Sequence, residues 1–131
     1  AALREWLAAE QRRHPNLVVL GDFNIAPEDR DVHDPKAWEG GVHVSPAERE
    51  ALRALLGLGL VDVFRRCEQP EKSYSWWDYR MLGFQKNRGL RIDHILVSQA
   101  LRAGVTACRM DRAPRKNPQP SDHAPVVATL G

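Results

Sequence analysis

Three places in this chain bring together residue types that handle phosphate, metal ions or protons. Near the C-terminal end, Ser121-Asp122-His123-Ala124-Pro125-Val126 sets a carboxylate beside an imidazole just ahead of an apolar run. Asp and His in that setting can hold a divalent cation, orient one another, or move a proton at a phosphate oxygen, and the folding of a strand asks for neither. Gly21-Asp22-Phe23-Asn24 closes the apolar run Leu17-Val18-Val19-Leu20. Side chains alternate along an extended backbone, so Asp22 and Asn24 face one point while Phe23 turns the other way into the packing. An Asx turn closing the strand is the alternative use of the same two residues. In Arg91-Ile92-Asp93-His94-Ile95-Leu96-Val97, Asp93 interrupts an otherwise apolar run. A carboxylate there is costly to bury without a partner. The imidazole of His123 is the natural one.

The elements that must position these residues follow from periodicity. Leu3, Trp6 and Leu7, set among Arg4, Glu5, Glu10, Arg12 and Arg13, predict an amphipathic helix over residues 2–13 that Pro15 ends. The unbroken run 17–20 predicts a strand buried on both faces. Ser45-Pro46-Ala47-Glu48 is a capping box with proline at the first helical position, so a helix is expected through Leu52, Leu55 and Leu56, released at Gly57 and Gly59. Residues 60–64 predict a strand or short extended segment, 91–98 a strand, and 105–110 another. Between the last two, Ser98 caps a short helix through Leu101, and residues 112–120 form a basic, proline-rich loop. A helix, a tight link and a strand are parts of a layered α/β fold.

The 131 residues carry a formal charge of +2, which suits one ordinary domain. No apolar run is long enough to span a membrane and no basic-apolar-small leader is seen, so the expected compartment is the cytoplasm. Cys67 and Cys108 lack metal-site spacing and read as free thiols. The cations are distributed unevenly: Arg80, Lys86, Arg88 and Arg91 fall in one stretch, and Arg112, Arg115 and Lys116 in another. Each group is open to two readings, a solvated loop or a set of phosphate contacts. Tyr74, Trp76, Trp77 and Tyr79 precede the first group, either as an aromatic-rich strand or as a surface that stacks on sugars or bases.

Taken in order, GDFN, SWWDYR with GF and NRGLRIDHIL, and SDHAPV resemble the C-terminal half of exonuclease III-type AP endonucleases, over nearly the whole chain. GDxN and SDH alone mark the broad endonuclease/exonuclease/phosphatase, DNase I-like superfamily. The WxDYR and NRGLRID segments point to its DNA-repair branch. The resemblance implies an α/β fold, one half of a four-layered sandwich whose sheet is mixed and mostly antiparallel with flanking helices. It implies a metal-dependent DNA-repair phosphodiesterase with AP endonuclease, 3′-5′ exonuclease and 3′-phosphatase activities, acting on double-stranded DNA with abasic sites or 3′ ends. It also implies a bacterial setting at the nucleoid.

Carried over by position, Asp22 would activate or orient the attacking water, and Asn24 would hold it with the scissile phosphate. Asp93 would orient His123, which would bind the phosphate. Asp122, with Asp22 and Asn24, would help place a magnesium ion, with manganese as an alternative. Trp76, Leu90 and Ile92 match positions near the pocket for an extrahelical abasic sugar. Trp77 belongs to the same DNA-facing stretch. Arg80, Lys86, Arg88 and Arg91 would meet backbone phosphates, Arg91 having strand support as a second reading.

The family's N-terminal half supplies a metal-binding glutamate, an asparagine and a tyrosine to the same site, and no match for them is found here. Residues 1–131 are therefore expected to be the C-terminal portion of the domain, without its N-terminal half. Such a portion should pair with that half or self-associate through an exposed sheet face, bind magnesium weakly and cut DNA poorly by itself. The competing functions are a superfamily phosphatase acting on a small phosphorylated substrate, and a catalytically inactive DNA-binding fragment.

Overall fold

A computed structural model describes residues 2–39 and 41–131. The first helix, α1 (Ala2–Arg13), presents Leu7 to the interior, and β1 (Val18–Asp22) follows it. A short helix α2 (Pro35–Trp38) precedes α3 (Pro46–Leu56), whose inner face is Leu52 and Leu55. Ser45 caps α3 as expected, its Oγ accepting from Glu48 N at 3.2 Å. The carboxylate of Glu48 accepts from His43 N at 3.1 Å, so the box closes onto the preceding loop.

The expected strand over 60–64 is cut to β2 (Val61–Asp62), because Asp62 turns its side chain onto Phe64 N and starts α4 (Val63–Arg66). An aspartate in that position is a better helix cap than a strand residue. The remaining elements are β3 (Trp76–Trp77), β4 (Gly89–Leu90), β5 (Asp93–Val97), α5 (Gln99–Arg102), β6 (Val105–Met110) and β7 (Val126–Leu130).

The strands form three antiparallel groups, in the orders β1-β5-β2, β3-β4 and β6-β7. In the first, Val18 lies opposite Val97 and Asp22 opposite Asp93. One face of this sheet carries Leu96 and Val19 and is covered by Leu7, Leu52, Leu55 and Leu60. Each such side chain contributes roughly 1.5–3 kcal/mol when fully buried. The other face, through Val97 and Ile95, packs on Cys108, Val126 and Ala128 of the β6-β7 pair together with Val63 and Phe64. That cover stops short of β1. Val18 is 43% and Leu20 67% exposed. The expectation of burial on both faces is corrected here: four apolar residues in a row looked like a central strand, but β1 is an edge strand covered on one side. Among the described residues no helix is long and apolar enough to cross a membrane. Cys67 and Cys108 are free thiols, and burial pushes the Cys108 thiol up to about 11.

A buried charge cluster ties the loops to this sheet. Arg91 and Asp31 are both fully buried. The Arg91 guanidinium donates to Asp31 through Nε at 2.7 Å and forks onto both oxygens of Asp62 at 3.2 and 2.8 Å. Arg65 also pairs with Asp31, and the Arg91 guanidinium lies 4.7 Å from the centroid of the Phe64 ring. Two carboxylates meet two guanidiniums, so the cluster is neutral as a whole and its desolvation is offset. His94 completes it. Its Nε2 must donate to the carbonyl of Ile25 at 2.7 Å, which leaves Nδ1 to accept from Arg91 at 3.2 Å. Burial and the neighbouring Arg91 charge hold the His94 pKa below 6.5, consistent with a neutral ring of fixed tautomer.

Candidate active site

Three strand ends converge on one point. β1 brings Asp22, β5 brings Asp93 directly opposite it, and the segment ahead of β7 brings Asp122 and His123. Like charges facing each other across a ladder are unfavourable and need a compensating group between them. His123 is that group. Its Nδ1 is 2.8 Å from Asp93 Oδ2, and its Nε2 is 3.5 Å from Asp22 Oδ2 and 3.7 Å from Asp122 Oδ1. Partial burial works against charge on the imidazole, but the hydrogen bond and charge of Asp93, with the charges of Asp22 and Asp122, outweigh it. The His123 pKa is held above 6.5.

Backbone geometry fixes these groups. The hydroxyl of fully buried Ser75 accepts from both Ile92 N and Asp93 N at 3.1 Å, which pins the start of β5. Ala124 N donates to Ser75 O at 2.8 Å and Trp77 N to Asp122 O at 3.1 Å, so β3 and the residue before it clamp the segment that carries His123. The indole Nε1 of Trp76 donates to Asp122 Oδ2 at 3.0 Å, leaving Oδ1 turned toward the imidazole. Gly89 lets β4 approach β3: a Cβ there would lie 2.6 Å from Trp77 Nε1 and 2.7 Å from Trp76 O. Asn24 sits in the left-handed region at φ 57°, and its N–H donates to Asp22 Oδ1 at 2.9 Å. The Asx turn is therefore the arrangement observed: the extended backbone stops at Asp22, so the alternation expected to turn Asn24 to the same point does not reach it.

Asp22, Asp93 and His123 offer ligand atoms within 4.8 Å of one another. Hard divalent ions such as magnesium prefer oxygen donors. The imidazole is engaged with Asp93 at 2.8 Å, so the oxygens that suit such an ion are those of Asp22 and Asp93, with Asp122 Oδ1 close by, 3.7 Å from His123 Nε2. Asn24 is exposed next to them.

The DNA-facing residues inferred from sequence divide into two sets. Arg80, Lys86 and Arg88 are exposed, with Arg80 forked onto Asp78 at 3.1 and 2.8 Å. Those hydrogen bonds hold the Asp78 carboxyl down at about 2. Trp76 is half-buried and lines an open cleft of about 410 Å³ with Trp38, His33 and Arg88. Arg91 is the correction: enclosed by Asp31 and Asp62, it cannot meet a phosphate, and strand support is its observed role. Trp77, Leu90 and Ile92 are also core residues, buried at 0–2% exposure, so the surface of this cleft belongs to Trp76 rather than to them. Sequence reasoning missed Asp62, although it carries the signal that singled out Asp93, a carboxylate inside an apolar run. It also missed His43, whose ring lies 5.9 Å from Trp38 and 6.3 Å from Trp76 and bonds Asn24 O at 2.6 Å.

Residues 1–123 match the family model described as the Endonuclease/Exonuclease/phosphatase family. The chain is 38% identical to exodeoxyribonuclease III of Haemophilus influenzae over 98% of its own length and 51% of the relative's. Among solved structures, the 3′ phosphatase NExo from Neisseria, bound to a product DNA hairpin, superposes with a TM-score of 0.96 at 47% identity. That match covers 99% of this chain and 51% of NExo. An AP endonuclease from Archaeoglobus fulgidus superposes with a TM-score of 0.87 at 34% identity, over 98% of this chain and 52% of its own. The α/β architecture with antiparallel sheets is that of these nucleases. The chain spans about half the length of the relatives it matches.

Proposed function

We propose a function from one premise: the chain belongs to the endonuclease/exonuclease/phosphatase family. Its homologues are exodeoxyribonucleases, AP endonucleases and a 3′ phosphatase, hydrolases of DNA repair. The reading is that this chain carries the histidine wall of a DNA phosphodiesterase acting at abasic sites and 3′ ends. The observation that carries it is His123 held by Asp93 at 2.8 Å with its other nitrogen turned toward Asp22.

In this reading Asp93 fixes the imidazole so that a proton on Nε2 points at a phosphate oxygen and stabilises charge developing there. Asp22 orients the attacking water or draws its proton, and the exposed amide of Asn24 holds the phosphate beside it. The carboxylates of Asp22 and Asp93, with Asp122 close by, would hold magnesium, which when bound supplies neutralising charge to the phosphate. Trp76 presents an apolar wall to a sugar turned out of the helix.

A further part of the reading concerns the other wall. The exposed apolar face of β1 and the share of the relatives' length matched both support a second α/β layer, from the rest of a longer protein, packing over Val18 and Leu20. The 131 residues alone would then self-associate or melt broadly. Light scattering that finds a compact monomer with a sharp thermal transition would remove that part.

The activity test uses the protein carrying this chain with magnesium, a duplex containing an abasic-site analogue and a hairpin ending in a 3′-phosphate. Both substrates should be hydrolysed, and His123→Ala should slow the reaction by about a hundred- to ten-thousand-fold while duplex binding is retained. Equal rates in the variant and the parent would sink the assignment.

A further inference from the structure

Arg115 lies in the short 3-10 turn Ala113–Lys116, within the loop that leads to Ser121. It is 7% exposed, and its Nε is buried with no hydrogen-bond partner among the described residues. The guanidinium stacks on three rings, 4.7 Å from the centroid of Phe84, 5.4 Å from Tyr79 and 5.7 Å from Trp77. Ring faces offset part of its desolvation. A buried guanidinium nevertheless normally meets an acceptor, as Arg91 does twice in this same chain.

An opening of about 600 Å³ lies beside Arg115, bounded also by Tyr79, Phe84, Gln85, Lys116, Asn117 and Pro120, and among the described residues no carboxylate lines it. Two cations and two side-chain amides around one opening form a donor set for an oxyanion. The cavity is close to the reaction. The Tyr79 hydroxyl donates to Pro120 O at 2.7 Å, which joins its two sides. Pro120 precedes His123 by three residues, so their backbones are separated by at most about 11 Å. With a rise of about 3.4 Å per nucleotide along one strand, such a distance corresponds to only a few nucleotides.

We propose that this cavity holds a backbone phosphate of the bound DNA, a few nucleotides from the bond that is cut, with Arg115 and Lys116 as its cationic partners. The proposal rests on the DNA reading given above and assigns the loop 112–120 a place in it. Arg115 enters its rings before any ligand arrives, so the donor is preorganised.

The test measures binding of a fluorescein-labelled duplex by anisotropy across a salt series. Arg115→Met keeps an apolar stem over the rings and removes the charge. Lys116→Ala changes an exposed residue and leaves the core intact. Each variant should bind more weakly and show a plot of log affinity against log salt that is shallower by about 0.9, one phosphate contact fewer. A methylphosphonate stepped along the strand should weaken the parent protein at one position and leave Arg115→Met unaffected there. If Arg115→Met does not fold, Lys116→Ala read against the same scan decides. A parent protein that binds duplex while both variants keep its salt slope overturns this site and leaves the DNA reading standing. Absence of duplex binding by the parent overturns the DNA reading and this site with it.

Discussion

The cluster around Arg91 and the cluster around His123 are built from the same residue types and balance their charge differently. In the first, Asp31 and Asp62 face Arg91 and Arg65, two against two, around a fully buried Arg91–Asp31 pair. In the second, Asp22, Asp93 and Asp122 surround one imidazole at the surface. Burial permits an ionic group only when it is neutralised on the spot, so the Arg91 cluster had to be complete within the chain. The His123 cluster carries surplus negative charge in an open setting. That imbalance is what a cation, or a site completed by another layer, would correct.

Breaking the balanced cluster should have the largest effect. Arg91→Leu leaves Asp31 and Asp62 buried without their shared cation and should cost about 3–5 kcal/mol, read from the midpoint of urea unfolding. A change within about 0.5 kcal/mol, ordinary for a surface position, would show that the cluster does not hold these segments. Asp93→Asn comes next and should act on rate instead. Hydrolysis should slow by about a hundred-fold while the unfolding midpoint stays near the parent's, because the site is open to water. A variant that lost stability and kept its rate would reverse the comparison. Ser45→Ala lies outside both clusters and should cost about 1 kcal/mol through the lost cap of α3. Equal midpoints would mean that Glu48 alone secures the helix start.

Acid and base should separate the two clusters as well. Burial opposes ionisation of Asp62, yet Arg91, by charge and hydrogen bond, holds its pKa below 3.8. Its contribution is therefore present above 3.8 and lost as pH falls through the lower folded value. The His123 pKa is raised above 6.5, so its charged form contributes fully below 6.5 and is lost as pH rises through the folded value. Urea midpoints in acid should follow the first, and an NMR titration of the His123 ring the second. A His123 midpoint below 6.5 would contradict the geometry.

What was legible in the sequence was local. The helix over 2–13, the Ser45 cap and the strands carrying Asp22 and Asp93 all follow from patterns a few residues long. The pairing of Asp93 with His123 reaches across 30 residues and was still readable, because a carboxylate in an apolar run demands a partner and the folding of a strand gave His123 no other use. Asp31 and Arg91 could not be joined in this way. Sixty residues separate them and each looks solvated in its own neighbourhood. The burial of Trp77 was hidden for a similar reason: its place is set by Phe84 and by the missing Cβ of Gly89, neither of which changes the local pattern. The exposure of Val18 and Leu20 was invisible because hydrophobicity reports the wish for cover and not its presence.

That same strand sets the order in which the molecule can assemble. Val18 pairs with Val97, so among the described residues β1 has no ladder partner until β5 has been made. At about 5–20 residues per second of synthesis, its backbone groups wait roughly 4–16 s for β5. During that interval α1 and α3 lack Leu96 of β5 to pack on, Asp22 has no opposite number and the reactive geometry does not exist. The site is consequently among the last features to form: the β1-β5 pairing sets Asp93 opposite Asp22, and the segment ahead of β7 then brings Asp122 and His123.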